Sequence, residues 1–322
     1  MNRTTSMTKH VKEYLAMRRA FGFQLSREGE QLKRFARYAD RFERGKPLTI
    51  DMALRWTQSY STGRQPGAAR QMMILRSFAT YLKMHDPLTE IPPKQILRPT
   101  HGRPLPHIYS ECEIRALCDA ATSLSSRGVL RARSFQTYIS LLACTGMRPP
   151  EPLRLTRDDV DLQSHTITVR RTKFAKSRIV VLHPTATEAL NEYSQFRDRC
   201  LPCPQSPAFF LRDDGRAFSF GLASWAFSKL RRQLGWAGRP GGRPPRLYDL
   251  RHTFVCRRLL AWHQAGVDLH VVLPSLSTYL GHVKVSDTYW YMTAIPDLMT
   301  TISDRFERFI FGDEEEGKNE PA

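Results

Sequence analysis

Hydrophobic residues recur every three or four positions through the first 84 residues, as they do on one face of an α-helix. The pattern predicts four helices, at about 8–22, at 26–44, after a capping Thr49, and at 67–84. Their aromatic residues are predicted to form a helical core rather than platforms for stacked bases. These aromatic residues are Tyr14, Phe21, Phe35, Trp56 and Phe78. A small bundle of amphipathic helices is therefore expected at the N-terminus.

A proline-rich stretch separates this bundle from the rest of the chain. Six prolines and several basic residues fall within 86–106, and proline stops a helix and stiffens the backbone. The stretch is either a plain spacer or a basic segment that lies along an anionic partner. The predicted organisation is a helical domain at 1–90, a linker at 91–106, a second domain at 107–311 and an acidic tail at 312–322.

The second domain mixes helices with a small amount of β-structure. Ser110 and Glu113 form a capping-box pattern that predicts a helix start. Two short segments alternate polar and apolar residues and predict a β-hairpin, at 166–169 and 178–182. Further helices are predicted at 133–146, 185–199 and 219–234, and from about Asp249. The fold class is mainly α with a small β-sheet or hairpin.

The charge balance points to a polyanionic partner. Lysines and arginines number 49 against 31 acidic residues, a formal net charge of +18. The first 100 residues hold 19 basic and 8 acidic residues and so carry most of the excess. A surface charged for solubility is the alternative, but nucleic-acid binding explains so large an excess better.

The sequence shows no sign of a membrane or metal partner. It has no apolar run long enough for a transmembrane helix and no apolar stretch typical of a signal peptide. Cys200 and Cys203 form a CxxC pair, but no second pair of ligands completes a zinc site. We expect a cytoplasmic bacterial protein without membrane partner, metal or cofactor.

Four short motifs in the second domain supply the groups that metal-free cleavage of a phosphodiester needs. Attack on phosphorus concentrates negative charge on the nonbridging oxygens, to which a guanidinium can donate two parallel hydrogen bonds. The leaving oxygen needs a proton, and the attack needs a nucleophile such as a hydroxyl. In chain order the motifs are 145–151 with Arg148, then Lys173, then 248–253 with Arg251 and His252, then 280–282 with His282, followed nine residues later by Tyr291.

Two assignments within these motifs have rivals. Lys173 follows the predicted strand and can protonate a leaving oxygen, but Lys176 lies in the same loop. Tyr291 is predicted as the nucleophile, with Tyr289 and Tyr279 as alternatives. An ordinary phenol has a pKa of about 10, so a tyrosine nucleophile requires nearby cations or a base.

These motifs resemble those of the tyrosine recombinase (phage-integrase-like) family, of the mobile-element type. The resemblance covers about residues 107–295 and includes the runs 153–161 and 182–184 beside the four motifs. It implies a site-specific DNA recombinase, an integrase or transposase, that works through a covalent 3′-phosphotyrosyl intermediate without metal or ATP. The catalytic residues that it implies are Arg148, Lys173, Arg251, His282 and the nucleophile Tyr291. Tyr248 is added as a sixth candidate, at the position of a further catalytic residue of the family.

One position departs from the family pattern. The family usually has a histidine three residues before the second arginine, where this chain has Tyr248. Tyr248 shares a helix face with Arg251 and can donate a hydrogen bond to phosphate, but it is a poor base at neutral pH. His252 can donate to a phosphate oxygen or take part in the proton transfer of the nucleophile. Its position one residue past Arg251 favours a side chain that points elsewhere and a structural role. Glu151 matches an acidic position that supports Arg148.

The resemblance also implies an assembly. The N-terminal helices correspond to a core-binding, SAM-like DNA-binding domain, and the two domains form a C-shaped clamp on double-stranded DNA. A homotetramer on two recombination sites, alone or with companion recombinases, exchanges strands through a Holliday junction. An apolar stripe predicts a helix at 295–311 that packs on a neighbouring protomer or on its own chain. The expected location is the bacterial nucleoid.

Two other functions use the same features. An accessory DNA-binding protein that has lost catalysis would accommodate the change at Tyr248. A type IB topoisomerase shares the chemistry but nicks and relaxes DNA as a monomer. Within the recombinases, a resolvase of chromosome dimers is less favoured, because Met147 and Tyr248 depart from its usual motifs.

Overall fold

The computed structural model describes residues 6–60, 65–94, 97, 105–124, 129–170, 177–238, 243–282 and 284–294. By its internal contacts the chain divides into two compact units, Met1–Arg103 and Pro104–Ala322. Lys173, Lys176 and the helix predicted at 295–311 lie outside the described residues. Their predicted roles therefore remain predictions.

The first unit contains four helices with one shared core. They are α1 (Met7–Ala20), α2 (Ser26–Phe42), α3 (Ile50–Tyr60) and α4 (Gln65–Leu82). The buried side chains include Tyr14, Phe35, Trp56 and Phe78, as the helical spacing predicts. Asp40 of α2 accepts hydrogen bonds from the first backbone amides of α1. That carboxylate fixes α1 against α2 and satisfies amides that a helix start leaves unpaired.

Phe21 corrects the predicted core. It was expected on the buried face of the first helix, but α1 ends at Ala20 and the Phe21 side chain is 73% exposed. The chain turns at Gly22, whose φ of +83° favours glycine. The turn takes Phe21 off the helix face, so an apolar spacing that continues past a helix end does not imply burial.

The second unit is a helical domain with a small sheet. Its helices are α5 (Glu111–Ala120), α6 (Leu130–Thr145), α7 (Pro184–Cys200), α8 (Phe220–Gln233), α9 (Leu247–Gln264), α10 (Leu269–Leu280) and α11 (Ser286–Ala294). Short 3₁₀ turns occupy Ala121–Leu124, Pro152–Arg154 and Arg157–Asp159. The Ser110 hydroxyl caps α5 and the Glu113 carboxylate bonds back to the Ser110 amide, which confirms the predicted capping box.

The sheet is antiparallel in the order β1 (Val160–Asp161), β2 (Thr166–Val169) and β3 (Arg178–Val181). Ile167 pairs with Val180, and both side chains are buried. The predicted hairpin is thus confirmed for its strands. Strand β1 was not predicted, because two residues are too few for an alternating pattern.

Two apolar clusters organise the second unit. Helix α6 lies at the centre of the larger one and is buried on most sides. The smaller cluster joins α9, α10 and α11; its buried members include Val255, Leu259, Leu273, Leu280 and Tyr291. The ends of α6 and α10 lie close to the beginning of α9, where Arg251 donates hydrogen bonds to the Gly146 and Leu280 carbonyls. Among the described helices, none combines the length and apolar character needed to cross a membrane.

Gly146 ends α6 in a conformation that only glycine adopts without strain. Its φ is +61°, and its amide bonds back to the Leu142 carbonyl. A Cβ added there would lie 2.4 Å from Cδ1 of Phe254 on α9. The glycine thus lets the end of α6 approach α9 closely.

Replacing Gly146 by alanine should destabilise the protein more than the same change at Gly235. Both residues have positive φ, but a Cβ at Gly235 meets nothing within 4 Å. Gly235→Ala should lower the free energy of unfolding by about 1–2 kcal/mol, from backbone strain alone. Gly146→Ala should lower the free energy of unfolding by about 1–3 kcal/mol more, because Phe254 must also move. Urea unfolding followed by circular dichroism measures both, and equal losses would contradict the close approach.

Candidate functional site

The predicted site residues come together from four helices. Two of them contribute their C-terminal ends, a third its first turns, and the fourth is short. Arg148 follows the end of α6, and His282 follows the end of α10. Arg251 lies near the start of α9, which begins at Leu247, and Tyr291 lies on α11. The contacts below connect all four.

Arg251 is the most buried charged group of the site, with 4% of the residue exposed. One terminal nitrogen donates to the Gly146 carbonyl at 2.8 Å and the other to the Leu280 carbonyl at 2.7 Å. These carbonyls belong to the ends of α6 and α10, where helices leave carbonyl groups unpaired and carry partial negative charge. The guanidinium therefore ties two helix ends to α9.

The surroundings of Arg251 affect its protonation. Burial, and next the positive charge of Arg148, lower the pKa of Arg251 to about 10. Glu151 and Tyr291 oppose that shift, while Arg178 adds to it. Arg251 remains a cation at neutral pH, so the site offers a positive charge shielded from water.

Arg148 is held from two sides. Its guanidinium donates to Glu151 at 2.9 Å and to the Gly281 carbonyl at 2.7 Å. The Glu151 carboxylate also accepts from the Arg148 backbone amide. The Arg148 side chain is 23% exposed, so part of it faces solvent while its orientation is fixed.

Arg178 is a site residue that the motif analysis did not identify. It begins β3 and donates two hydrogen bonds to the Glu151 carboxylate, at 3.0 and 2.7 Å. Its Nε donates to the Tyr279 carbonyl at 3.0 Å. Glu151 is buried, which alone would raise the pKa of its carboxyl, but the bonds and charges of Arg178 and Arg148 hold that pKa below its usual range.

Gly281 explains how Arg178 reaches this position. Its φ is +67°, and a Cβ there would lie 3.1 Å from Cδ of Arg178. The Gly281 carbonyl accepts from Arg148, as described above. In sequence, Arg178 appears only as the first residue of a predicted strand, so no local signal separates it from a surface arginine.

His282 is oriented by the helix that carries Tyr291. Its Nδ1 lies 2.8 Å from Oγ1 of Thr288, which is fully buried at the start of α11. A hydrogen bond at Nδ1 fixes the ring plane and directs the opposite nitrogen away from Thr288. The sequence predicted His282 as a site residue but did not identify Thr288.

His252 corrects one prediction. It was expected to point elsewhere as a structural residue, but its Nδ1 lies 2.7 Å from the Tyr291 hydroxyl, and the ring centroids are 5.4 Å apart. The reason is the position of α11, which packs against α9 on the side where His252 projects. Tyr291 itself is 2% exposed.

The two rival tyrosines have different surroundings. Tyr289 is 39% exposed, and its ring lies 6.1 Å from that of His270. Tyr279 directs its hydroxyl to the Val181 carbonyl at 3.4 Å, and burial raises its pKa to about 12. Of the three tyrosines, Tyr291 is the one for which the structure describes a histidine at hydrogen-bonding distance. It is also the one of the three that contributes to the pKa of Arg251.

Tyr248 lies on the first turn of α9 and is 42% exposed. It makes no hydrogen bond with any residue that the structure describes. The turn itself is fixed by Asp249, whose carboxylate accepts from the backbone amide and the side chain of Arg246. Tyr248 is thus accessible to a ligand, whereas Arg251 on the same helix is enclosed.

The arrangement suits the binding of an anionic phosphorus centre beside a phenol. Two guanidinium groups with fixed directions, Arg148 and Arg251, can donate to nonbridging oxygens. His282 adds a third oriented donor, and Tyr291 supplies a nucleophilic oxygen. Within the described ranges, no three His, Cys, Asp or Glu side chains are grouped as ligands of a metal ion.

Comparison with known proteins identifies what the chain resembles. The sequence model of the phage integrase family matches residues 109–296. The protein y4rE of Sinorhizobium fredii, named as an inferred integrase/recombinase, is 36% identical over 295 residues, which cover 92% of this chain and 94% of that protein. Tyrosine recombinase XerD of Listeria innocua is 30% identical over 234 residues, which cover 71% of this chain and 72% of XerD.

Solved structures show the same fold at low sequence identity. The Tn1549 transposon integrase, in complex with a circular intermediate DNA, aligns over 94% of this chain and 99% of its own with a TM-score of 0.63 and 14% identity. A lambda integrase dimer bound to a core site aligns over 98% of this chain and 80% of its own, with a TM-score of 0.60 and 15% identity. The expected mainly helical fold with a small sheet is confirmed.

Replacing Glu151 by glutamine should weaken the site in a pH-dependent way. The folded-state pKa of Glu151 is depressed, so its carboxylate stabilises the fold above the ordinary carboxyl pKa. That stabilisation is lost as pH falls through the folded-state pKa. At pH 7, Glu151→Gln should lower the free energy of unfolding by about 3 kcal/mol. The difference from the unmodified protein should shrink only as the pH falls below the ordinary carboxyl pKa of about 4.3 toward the lower folded-state pKa.

The matched control is Glu192→Gln. Glu192 pairs with Arg133 at 3.3 Å, and both side chains are well exposed, so its loss should change stability by less than about 1 kcal/mol. Urea unfolding at pH 7 and at about pH 3, below the ordinary carboxyl pKa, measures both variants. A Glu151→Gln loss that is as small as the control, or that does not change with pH, would contradict the role of the buried carboxylate.

Proposed function

This chain belongs to the phage integrase family, and we propose that it is a site-specific DNA recombinase that joins DNA to Tyr291 as an intermediate. The observation that carries the proposal is the contact set around that residue. Tyr291 lies beside His252 and interacts with the buried Arg251 cation. The same cation ties together the helix ends from which Arg148 and His282 extend.

The proposed reaction begins with binding of the scissile phosphate by Arg148, Arg251 and His282. Their hydrogen bonds neutralise charge that grows on the nonbridging oxygens during attack. The Tyr291 oxygen bonds to phosphorus as the bond to the 5′ oxygen breaks, which leaves a 3′-phosphotyrosyl link. Lys173 donates a proton to the leaving 5′ oxygen.

Rejoining reverses these steps with a different DNA end. A 5′ hydroxyl attacks the phosphotyrosyl group, Lys173 takes up its proton, and Tyr291 leaves as a phenol. Because one phosphodiester is exchanged for another ester of phosphate, no ATP is consumed. Metal is not part of the proposed reaction, since the cations are supplied by side chains.

Glu151, Arg178 and Tyr248 have supporting roles in the proposal. Glu151 and Arg178 hold Arg148 in its direction. Tyr248 is exposed on the first turn of α9, and we assign it a hydrogen bond to the phosphate in place of the histidine usual in the family. Its hydroxyl is a donor at neutral pH and not a base.

Burial of Tyr291 and Arg251 adds a requirement. The two residues are 2% and 4% exposed, so they can meet a phosphate only after a local opening of the structure near α11. DNA that binds on this side of the domain would provide the free energy for that opening. Cleavage should therefore depend on binding to an extended site and not on the phosphate alone.

The proposed assembly follows the units of the chain. In the proposal, residues 1–90 bind DNA, residues 91–106 link the two domains, and residues 107–311 carry out the chemistry. Two observations support this assignment: the division of the chain at Arg103 and Pro104 and the basic charge of the first 100 residues. A homotetramer, alone or with companion recombinases, would exchange strands between two sites through a Holliday junction. The helix predicted at 295–311 would pack on a neighbouring protomer, and the complex would act at the bacterial nucleoid.

A nicked suicide substrate tests the proposal directly. The DNA is first selected by the protein from a random-sequence library, and a nick next to the cleavage position then traps the intermediate. In EDTA, the unmodified protein should form a covalent adduct that denaturing electrophoresis detects. Tyr291→Phe should form none, because the nucleophilic oxygen is absent.

Tyr289→Phe is the matched control, two residues away on the same helix, and it should retain the adduct. If the unmodified protein binds the selected DNA but yields no adduct on any nicked version, an accessory DNA-binding function is favoured. If Tyr289→Phe loses the adduct and Tyr291→Phe retains it, the nucleophile has been misassigned. Relaxation of supercoiled plasmids by a monomer would favour a topoisomerase.

A further inference from the structure

The Tyr291 hydroxyl lies at hydrogen-bonding distance from the His252 ring. Its Nδ1 lies 2.7 Å from the phenol oxygen across 39 residues of sequence. We propose that His252 is the catalytic base of strand cleavage, which accepts the Tyr291 proton as the phosphorus–oxygen bond forms. This inference rests on the proposed function and assigns a specific role to His252, for which the sequence had favoured a structural one.

The geometry meets the first requirement for a base. A base must lie within about 2.6–3.2 Å of the proton-bearing atom, and the distance of 2.7 Å satisfies this. The neutral ring can accept at Nδ1 when its proton is on Nε2. His252 is neighbour to Arg251 on α9, so the helix that binds the phosphate also carries the base.

Chemistry favours the imidazole of His252 over the phenol of Tyr248 for this task. An ordinary histidine has a pKa of about 6.5, so it is largely neutral and able to take a proton at pH 7. Tyr248 occupies the place where the family usually has a histidine, but a phenol does not accept a proton at that pH. Tyr248 is also exposed and makes no hydrogen bond with any described residue, whereas His252 is partly buried against α11.

The surrounding charges assist the transfer. Arg251, from α9, is the cation that interacts with Tyr291, and a nearby positive charge stabilises the phenolate as it forms. The turn after α6 contributes Arg148 and Glu151, and β3 contributes Arg178; all three act on Arg251. His282, from the end of α10, is a further titratable group at the site.

The protons balance over a full cycle. During cleavage the Tyr291 proton moves to Nδ1 of His252, while Lys173 gives a separate proton to the 5′ oxygen. During rejoining the His252 imidazolium returns its proton to the departing Tyr291 oxygen, and Lys173 recovers one from the attacking 5′ hydroxyl. No external oxidant, metal or nucleotide enters this exchange.

The variant His252→Asn separates the base from a merely structural residue. The Asn carboxamide oxygen can stand near the position of Nδ1 and accept a hydrogen bond, but it cannot take up a proton at neutral pH. We expect adduct formation on the nicked substrate to slow by about 10²–10⁴-fold, the usual contribution of general base catalysis. Binding of the intact selected DNA and the thermal midpoint should remain close to those of the unmodified protein.

Two further measurements assign the proton. A bridging 5′-phosphorothiolate has a leaving sulfur that needs no proton, so it should restore cleavage by Lys173→Ala and leave His252→Asn slow. With the ordinary substrate, the cleavage rate of the unmodified protein should rise with pH across the imidazole range and then level off. The rate of His252→Asn should lack this step and continue to rise toward the alkaline range, where the phenol ionises unaided.

His270→Asn is the matched control, because His270 packs near Tyr289 and not near Tyr291, and its cleavage rate should be unchanged. If His252→Asn cleaves at the rate and with the pH profile of the unmodified protein, the inference is wrong. The covalent adduct would in that case still support the proposed recombinase function. Restoration of His252→Asn by the bridging sulfur would also overturn it, since the missing proton would then be the one on the leaving oxygen. Absence of an adduct from the unmodified protein would instead refute the proposed function.

Discussion

A buried guanidinium that bridges two helix ends is the interaction on which the rest of the catalytic unit depends. Transfer of an isolated cation into a protein interior costs several kcal/mol, and good hydrogen bonds are needed to offset it. Arg251 finds them at the carbonyls of Gly146 and Leu280, where α6 and α10 terminate with unpaired acceptors and partial negative charge. If either helix end shifted away, the buried cation would lose one of these two hydrogen bonds.

The proposed phosphate site follows from this constraint. The residues just beyond the two helix ends are Arg148 and His282, so fixing the ends also fixes where these side chains start. Gly146 and Gly281 allow the backbone to turn there, and the Gly281 carbonyl accepts from Arg148. Glu151 gains a second cation from β3, which joins the sheet to the same network. The donors are thus oriented before a phosphate arrives, which is the condition for electrostatic catalysis.

Local patterns predicted the elements well, because helix and strand periodicities report which residues face a core. The four N-terminal helices, the capping box at Ser110 and the strands of the hairpin belong to this class. The pattern failed at Phe21, where a turn at Gly22 ends the helix. Strand β1 is too short to carry a period. The motifs placed Arg148, Arg251, His282 and Tyr291 in one site before any contact was known, and the structure brings those four together.

The contacts that the sequence could not supply are long-range. His252 reaches Tyr291 because α11 packs on that side of α9, and no spacing within either helix encodes this. Arg178 and Glu151 meet across 27 residues for the same reason. The position of His252 on its own helix predicted that its side chain points away from the site. The contact of its ring depends on the neighbouring helix, which the local sequence does not reveal.

The most direct test of the central interaction is the free energy of unfolding of Arg251→Lys, measured by urea with circular dichroism. A lysine keeps the charge, but its single ammonium cannot reproduce the two directed bonds of the guanidinium plane. One buried carbonyl should be left unsatisfied, and stability should fall by about 1–3 kcal/mol. An Arg251→Lys protein as stable as the unmodified one would contradict the claim that this bridge holds the helix ends of the site together.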